Sequence, residues 1–136
     1  HNHMNQFGET PEEVETLVKN MNPAYAKLLL DVAHYFQGGG NPAEAVLKYK
    51  NVIHAFHIKD VEAPVRGQES NPKSYKFVEL GQGKVDLAAV FKNIDQIKFK
   101  GWAIVELDAV PDKARTPLQC GEISRNFLSD KIGYQF

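Results

Sequence analysis

The stretch Val52-Ile53-His54-Ala55-Phe56-His57 is a short apolar run, rich in β-branched and aromatic residues, that ends at a histidine. Two other runs have the same form: Leu28-Leu29-Leu30 before Asp31, and Trp102-Ala103-Ile104-Val105 before Glu106. Runs of this length and composition are typical of buried strands in a parallel sheet. The sequence therefore predicts three buried strands, each of which ends at a polar side chain.

Helix-start signals recur between these runs with the same chemistry. Each signal has a capping residue, then Pro, then Glu or Gln at the third helical position, as in Thr10-Pro11-Glu12-Glu13, Asn41-Pro42-Ala43-Glu44 and Thr116-Pro117-Leu118-Gln119. The cap oxygen accepts from an unpaired amide, and Pro lacks the amide that would go unpaired. With Asp86 as a fourth cap, the pattern predicts helices over residues 11–20, 42–51, 87–98 and 117–130. Apolar residues at helical spacing, including Leu118 in the last helix, predict faces that pack on the sheet.

The order of these elements is β-α-β-α-β-α-β-α, which is typical of an α/β fold with a parallel sheet. A complete (βα)8 barrel needs about 250 residues, whereas this chain has 136. Four βα units therefore correspond to half of a TIM barrel, and a small open doubly wound sheet is the alternative. We expect one domain over residues 1–136, interrupted by a polar insertion from Glu62 to Lys76, with apolar surface at the open edges of its sheet.

The composition excludes several classes of protein. Hydrophobic residues make up 43% and charged residues 24%, which is typical of a globular domain. A formal net charge of −1 argues against a nucleic-acid partner or a membrane surface. Cys120 is the only cysteine, so no intramolecular disulfide can form, and a reducing cytoplasm is the expected location.

The polar residues at the three strand ends are candidates for one divalent metal site. Chemistry in α/β folds lies at the carboxyl ends of the strands, where Asp31, His57 and Glu106 would converge. Mixed oxygen and nitrogen ligands suit Mn²⁺, Co²⁺, Fe²⁺ or Zn²⁺. The alternative is that the three residues merely cap the loops that follow their strands.

Three further residues are candidates for substrate binding. His34 follows Asp31 by three residues, and an extended or turning backbone there would let its ring reach the same cavity; the alternative is a surface loop histidine. Lys59 shares the parity of His57, so it would point to the same side of the sheet and could neutralise an oxyanion or a phosphate; the alternative is an ion pair with Asp60 or Glu106. Arg66 in the polar insertion could clamp a substrate from its loop or simply be solvated.

Four motifs together resemble the C-terminal half of the xylose isomerase-like TIM-barrel superfamily, which includes sugar phosphate isomerases and epimerases, inosose dehydratase and endonuclease IV. The motifs are Leu30-Asp31-Val32-Ala33-His34, His57-Ile58-Lys59-Asp60-Val61, Leu80-Gly81-Gln82-Gly83-Lys84-Val85-Asp86 and Ile104-Val105-Glu106-Leu107-Asp108. The resemblance implies that the chain supplies strands and helices five to eight of the barrel. It also implies that Asp31, His57 and Glu106 bind a divalent metal ion (Mn²⁺, Co²⁺, Mg²⁺ or Zn²⁺) and that His34 contacts the substrate or the metal.

The first residues, His1-Asn2-His3-Met4, resemble a His-Xaa-His-Met stretch that members of this superfamily carry on the fifth strand. The resemblance implies a fourth metal ligand from His3, with His1 as the alternative. A tag or cloning remnant is a different reading of the same residues.

The resemblance implies a metal-dependent sugar or sugar phosphate isomerase or epimerase that acts through a cis-enediolate. Glu106 would be the base, His34 and Lys59 would assist it, and Lys59 and Arg66 would bind a sugar or polyol ketone. An inosose dehydratase-like lyase or a non-catalytic half-barrel is the alternative. A DNA-repair endonuclease is disfavoured because the segment from Val61 to Phe77 has no His or Asp for a metal cluster. The expected partner is the missing N-terminal half-barrel or a second copy of the chain.

Overall fold

A computed structural model describes residues 1–65 and 67–136. The strands are β1 (Leu28–Asp31), β2 (Ile53–Ile58), β3 (Asp60–Val61), β4 (Phe77–Val78) and β5 (Trp102–Val105). The helices are α1 (Pro11–Asn20), α2 (Val32–Gln37), α3 (Pro42–Lys48), α4 (Leu87–Gln96) and α5 (Pro117–Phe127), with a 3₁₀ turn at Pro72–Ser74 and a π-helical turn at Leu128–Ile132. In that part of the chain, no helix has both the length and the apolar character that a membrane span requires.

The strands form one parallel sheet in the order β1-β2-β5. The parallel sheet confirms the predicted α/β fold class. A separate antiparallel pair, β3 with β4, flanks the polar segment between residues 62 and 76. The pair brings Phe77 beside His34 and Lys59, a position that the sequence did not predict.

The helices begin where their capping residues predict. Thr10 and Thr116 each form a capping box, and Asn41 accepts from the amides of two residues in the first turn of α3. The ends differ from prediction: α3 stops at Lys48 and α4 at Gln96, two or three residues early. Caps have a side-chain signature at the start of a helix, whereas these two ends carry no comparable signal in the sequence.

The short helix α2 is the main element that the sequence did not predict. It follows β1 with no linker, because Asp31 is both the last residue of the strand and the N-cap of the helix. The backbone at His34 is therefore helical, whereas an extended or turning backbone was expected. Gly38 caps the other end of α2.

The hydrophobic core lies between the sheet and its helices. Phe56 and Ile58 of β2 are fully buried, and the ring of Phe56 packs edge-on against Phe99 with 4.8 Å between centroids. Alternate residues of β2 point to the opposite face of the sheet, which places His57 and Lys59 together on that face. The helices thus cover one face of the strand, and the polar residues line the other.

The prediction that all three long strands are buried is wrong for β5. Its four residues are exposed, with Trp102 76% and Ile104 45% exposed. Both β1 and β5 are edge strands, but α2 packs against β1 and Asn2 bonds to its edge, whereas the main contacts of β5 among the described residues are with β2 alone. Leu118 is also 72% exposed, which corrects its expected packing on the sheet.

The first residues of the chain reach β1 through a side chain. Residues 1–3 form no strand, but Asn2 is buried and its amide group pairs with the backbone of Asp31. Asn2 Nδ2 donates to the Asp31 carbonyl at 3.0 Å, and Asn2 Oδ1 accepts from the Asp31 amide at 2.9 Å. Asn2 therefore satisfies the same two groups that a neighbouring strand would satisfy.

Asp60 organises the turn that follows β4. Its carboxylate is fully buried and accepts from four backbone amides, those of Val61, Gly81, Gly83 and Val85, at 2.9–3.1 Å. A Cβ atom at Gly83 would lie 2.2 Å from Asp60 Oδ1, so only glycine fits that close approach. The sequence did not predict this role for Asp60.

We predict that Asp60→Asn destabilises the protein by about 3 kcal/mol or more, since the new amide presents a donor to amides that need an acceptor. The matched control is Asp86→Asn, because Asp86 caps α4 through one exposed amide bond and Asn caps a helix equally well. Urea unfolding of both variants measures the difference. Equal free energies of unfolding would contradict the role assigned to Asp60.

Candidate metal centre and active site

The ends of the three parallel strands meet at one point. Asp31 and His57 are paired across β1 and β2, and the amide of Glu106 donates to the Ile58 carbonyl of β2 at 3.1 Å. As a result, His57 Nδ1 lies 3.5 Å from Asp31 Oδ2 and 2.9 Å from Glu106 Oε2. The structure therefore brings together the three residues that the sequence singled out.

Asp31 has one carboxylate oxygen that faces His57 and accepts no hydrogen bond. Its Oδ1 accepts from the amides of Ala33 and His34 at 3.0 and 2.9 Å and so caps α2. Its Oδ2 is buried without a hydrogen-bond partner. Burial raises the pKa of the Asp31 carboxyl, while the hydrogen bond from His34 and the charge of Lys59 oppose that rise. A bare, buried carboxylate oxygen is costly unless a cation or donor compensates it.

The two histidines at the start of the chain have their ring nitrogens fixed by neighbouring carbonyls. His1 Nδ1 lies 2.8 Å from the Asn2 carbonyl, and His3 Nδ1 lies 2.7 Å from the Met4 carbonyl. A carbonyl only accepts, so each Nδ1 carries the proton and each Nε2 keeps its lone pair. Metal-binding histidines are usually oriented in this way.

The structure places the two histidines differently. His1 joins Asp31 and His57, and one potential ligand atom from each of the three lies within 4.8 Å of the others. The ring of His3 instead packs on His34, with 3.9 Å between centroids. His1 is thus the better placed of the two candidates for the fourth ligand, and the assignment of either one stays a prediction.

The donor set fits a divalent ion. Asp31 Oδ2 and His57 Nδ1 are both buried and neither forms a hydrogen bond of acceptable geometry, although His57 Nδ1 lies 2.9 Å from Glu106 Oε2. Two ligands of a tetrahedral ion with bonds of about 2.1 Å are about 3.4 Å apart, close to the 3.5 Å between these two atoms. Nitrogen and carboxylate donors suit Mn²⁺, Co²⁺, Fe²⁺ or Zn²⁺.

Lys59 lies beside the candidate metal centre and contacts two carboxylates. It is 1% exposed, and its ammonium donates to Glu106 Oε2 at 3.1 Å and to Asp108 Oδ1 at 2.8 Å. The ammonium also lies 4.3 Å from the centre of the Phe77 ring. The sequence predicted the direction of Lys59 but not Asp108 as its partner, although the alternation Glu106-Leu107-Asp108 was a usable signal.

His34 is a buried, neutral histidine. It is 1% exposed, its Nδ1 lies 3.0 Å from Gln37 Oε1, and its Nε2 lies 4.0 Å from Asp31 Oδ2. Burial, helped by His3 and Lys59, lowers the pKa of His34 to about 4. At neutral pH the ring is therefore an uncharged imidazole beside the cluster and stacks edge-on with Phe77.

The remaining substrate-binding candidate, Arg66, lies outside the residues that the structure describes. Asn2, Phe77 and Asp108 are the residues near the site that the sequence analysis missed. Asn2 reaches the site through its bonds to the backbone of Asp31, and Phe77 reaches it through the pairing of β3 with β4. No local pattern in the sequence indicates either contact.

Comparison with known proteins adds three findings. A family model described as "Xylose isomerase-like TIM barrel" matches residues 1–122. An inosose dehydratase of Clostridium beijerinckii is 28% identical over an alignment of 142 positions, gaps included, that covers 98% of this chain and 47% of that protein. The chain therefore spans about half the length of the relatives that it matches.

Solved structures likewise match this chain over about half of their own length. A sugar phosphate isomerase/epimerase from Parabacteroides distasonis superposes with a TM-score of 0.71 at 25% identity, covering 99% of this chain and 45% of that one. The IOLI protein, solved with a binding zinc atom, has a TM-score of 0.71 at 21% identity, covering 99% of this chain and 48% of that one. The fold thus corresponds to about half of a larger TIM-barrel protein.

The pKa of His34 predicts a loss of stability in acid. Above pH 6.5, His34 is neutral in both folded and unfolded states. Below pH 6.5 the unfolded chain binds a proton that the folded chain refuses until about pH 4, so the free energy of unfolding falls as the pH falls. At 1.36 kcal/mol per pKa unit, the loss is on the order of 3 kcal/mol at pH 4.

Urea unfolding between pH 7 and pH 4 measures this loss. We expect His34→Gln to lose much of the pH dependence, and the control His54→Gln, at an exposed position of β2, to keep it. An unchanged slope in His34→Gln would contradict the lowered pKa.

Proposed function

The chain belongs to the xylose isomerase-like TIM barrel family, and from this premise we propose that it carries the metal-binding half of a sugar-processing active site. The observation that carries the proposal is that His57 Nδ1 lies 3.5 Å from Asp31 Oδ2 and 2.9 Å from Glu106 Oε2, so that the ends of all three strands contribute to one cluster. The proposed reaction removes a proton next to a carbonyl and gives a cis-enediolate. An isomerase then delivers a proton to the neighbouring carbon of the enediolate, whereas an epimerase returns a proton to the same carbon from the opposite face.

The residues that would hold a divalent ion are His1 or His3, Asp31, His57 and Glu106. Such an ion, when bound, supplies Lewis-acid polarisation of a substrate carbonyl, which acidifies the adjacent C–H. The rest of the chemistry falls to the side chains of this chain.

Glu106 is the proposed base. Its side chain is 36% exposed, so it borders both the cluster and the open side where a substrate would enter. Positioned carboxylates remove protons of this kind and typically contribute 10²–10⁴-fold to the rate. The ammonium of Lys59, 3.1 Å from Glu106, is the proposed donor to the oxygen on which negative charge develops.

His34 has a different proposed role. Because its pKa is lowered to about 4, it acts at neutral pH as an uncharged imidazole and not as an imidazolium. A neutral ring exchanges hydrogen bonds with substrate hydroxyls and can relay a proton back to carbon. We expect His34 to position the substrate without being needed to bind the metal.

A dehydratase is the second candidate function, and the inosose dehydratase relatives favour it. The same enediolate would lose a β-hydroxyl as water in place of taking up a proton. The charges near the site also favour an uncharged polyol ketone. Asp31, Glu106 and Asp108 outnumber Lys59 by two negative charges among the described residues, so a divalent ion brings the sum to zero and leaves no excess positive charge for a phosphate.

The complete site also requires more chain than these residues supply. The exposed β5, with Trp102 76% exposed, leaves an apolar strand edge open, which is costly and prone to pairing. We propose that an N-terminal half-barrel or a second copy of the chain covers this edge and completes the substrate pocket. A cytoplasmic location fits the single, unpaired Cys120.

We predict that Mn²⁺, Co²⁺ or Zn²⁺ raises the melting temperature of the chain. A ligand present at 100 times its Kd stabilises the folded state by about 2.7 kcal/mol. Asp31→Asn removes the anionic ligand but keeps a good N-cap for α2, so it should fold and lose the metal-induced shift. Asp86→Asn, the same change at the cap of α4, should keep the shift. An equal shift in both variants would place the metal elsewhere.

We predict that Glu106→Gln slows proton exchange by at least about 10²-fold. The measurement uses the complete, metal-loaded protein in which the open edge of β5 is covered: incubation with an inosose in D₂O, followed by NMR, measures deuterium uptake next to the carbonyl. A product that has lost one water relative to the substrate identifies a dehydratase. Deuterium uptake without this loss identifies an isomerase or epimerase. Exchange at the wild-type rate in Glu106→Gln would contradict its role as the base and leave Lys59 or His34 as the candidate.

A further inference from the structure

The ammonium of Lys59 is held by two carboxylates that the chain places two residues apart. Asp108 Oδ1 is the closer at 2.8 Å, and Glu106 Oε2 lies at 3.1 Å. Because Lys59 is 1% exposed, water cannot compensate its charge. The Phe77 ring at 4.3 Å adds a weaker, cation–π attraction on a further side.

Glu106 is therefore placed to interact with two positive charges, the Lys59 ammonium and the ion of the proposed metal centre. Its Oε2 is 2.9 Å from Nδ1 of His57, a candidate metal ligand, and 3.1 Å from Lys59 Nζ. If Glu106 were the only anion beside Lys59, a metal ion that took Glu106 would leave a buried ammonium without a partner. An uncompensated buried charge is strongly destabilising.

Asp108 removes this conflict. It contacts Lys59 on its own, and its side chain is 46% exposed, so its carboxylate stays hydrated while it contacts the ammonium. With Asp108 present, Glu106 can turn towards a metal and Lys59 keeps one ion pair. The position two residues after Glu106 puts both carboxylates on the same side of the segment that follows β5.

We propose that Asp108 is a positioning residue that retains the Lys59 ammonium and thereby leaves Glu106 free to bind the metal ion. The inference rests on the proposed metal centre, but it concerns a residue and a contact that this centre does not itself require. It also predicts a dependence: Asp108 matters for metal binding only while Lys59 is present.

A double-mutant cycle with Mn²⁺ alone as the probe tests this dependence. Binding is followed on the full chain by the loss of the free Mn²⁺ electron paramagnetic resonance signal. We expect Asp108→Asn to weaken Mn²⁺ binding by about 10-fold or more, a size typical of the coupling between close, desolvated charges. In the Lys59→Met background, we expect the same change to weaken binding less than about 3-fold, since only long-range attraction is lost.

Two controls separate positioning from net charge and from folding. Asp112→Asn removes the same charge from the same loop, but Asp112 contacts Arg115 and not Lys59, so Mn²⁺ binding should change by less than about 3-fold. Asp108→Glu keeps the carboxylate and should restore most of the affinity. Melting temperatures of the metal-free variants show whether each one folds.

The outcomes distinguish the two proposals. If the wild-type chain binds no Mn²⁺, the proposed metal centre is wrong and the role of Asp108 is wrong with it. If the wild-type chain binds Mn²⁺ but Asp108→Asn has the same effect with and without Lys59, the metal centre stands and the positioning role is overturned. An effect that vanishes in Lys59→Met supports the proposal.

Discussion

The geometry of the site depends on the position of Asp31. This single residue ends β1, caps α2 with one carboxylate oxygen, and receives the side chain of Asn2 on its backbone. The bonds from Asn2 fix the backbone of Asp31, and the two amides of α2 fix its Oδ1. Together they set the direction of its second oxygen, Oδ2. That oxygen is bare, buried and 3.5 Å from His57 Nδ1. A strand that ran directly into a helix without such a cap would leave two amides unpaired and the oxygen free to turn away.

The surrounding charges follow from this constraint. A fixed, buried anion at Asp31 requires a positive neighbour, and the charge of Lys59, whose ammonium contacts Glu106 and Asp108, favours the ionised form of Asp31. The sum of these side chains is negative by two charges, which matches the charge of one divalent ion. His34 remains neutral beside them because burial and Lys59 both disfavour its protonation. The carboxylates thus favour a bound cation, and the neutral ring of His34 lies beside them as an uncharged hydrogen-bonding group.

The sequence predicted those parts of the fold that depend on local chemistry. The starts of α1, α3 and α5 follow from a cap, a proline and an acid or amide at the third position, because these residues satisfy amides within their own turn. The convergence of Asp31, His57 and Glu106 follows from the parallel strands, whose ends share one edge of the sheet. The first inference requires only short-range rules, and the second requires in addition the general rule that successive βα units form a parallel sheet.

The remaining features depend on contacts between distant parts of the chain. Helix α2 was missed because its cap, Asp31, is also the end of a strand, and the sequence offers no linker between the two. Phe77 reaches the site only because β3 and β4 pair. The half-barrel predicted apolar surface at the sheet edges, but the apolar runs did not show that this exposure falls on β5 and not on β1, whose edge Asn2 occupies. Asn2 stands in for a strand through a side chain, which no periodic pattern reveals.

We propose that His57 and a second histidine, together with carboxylate oxygen, bind one divalent ion. X-ray absorption spectroscopy of the Co²⁺-loaded or Zn²⁺-loaded chain tests this claim most directly, because the imidazole ring gives a distinct multiple-scattering pattern. We expect two imidazole nitrogens and at least one carboxylate oxygen, with Zn²⁺ bonds of about 2.0–2.2 Å. A shell made only of oxygen without imidazole scattering, or one with sulfur from Cys120 at about 2.3 Å, would contradict it.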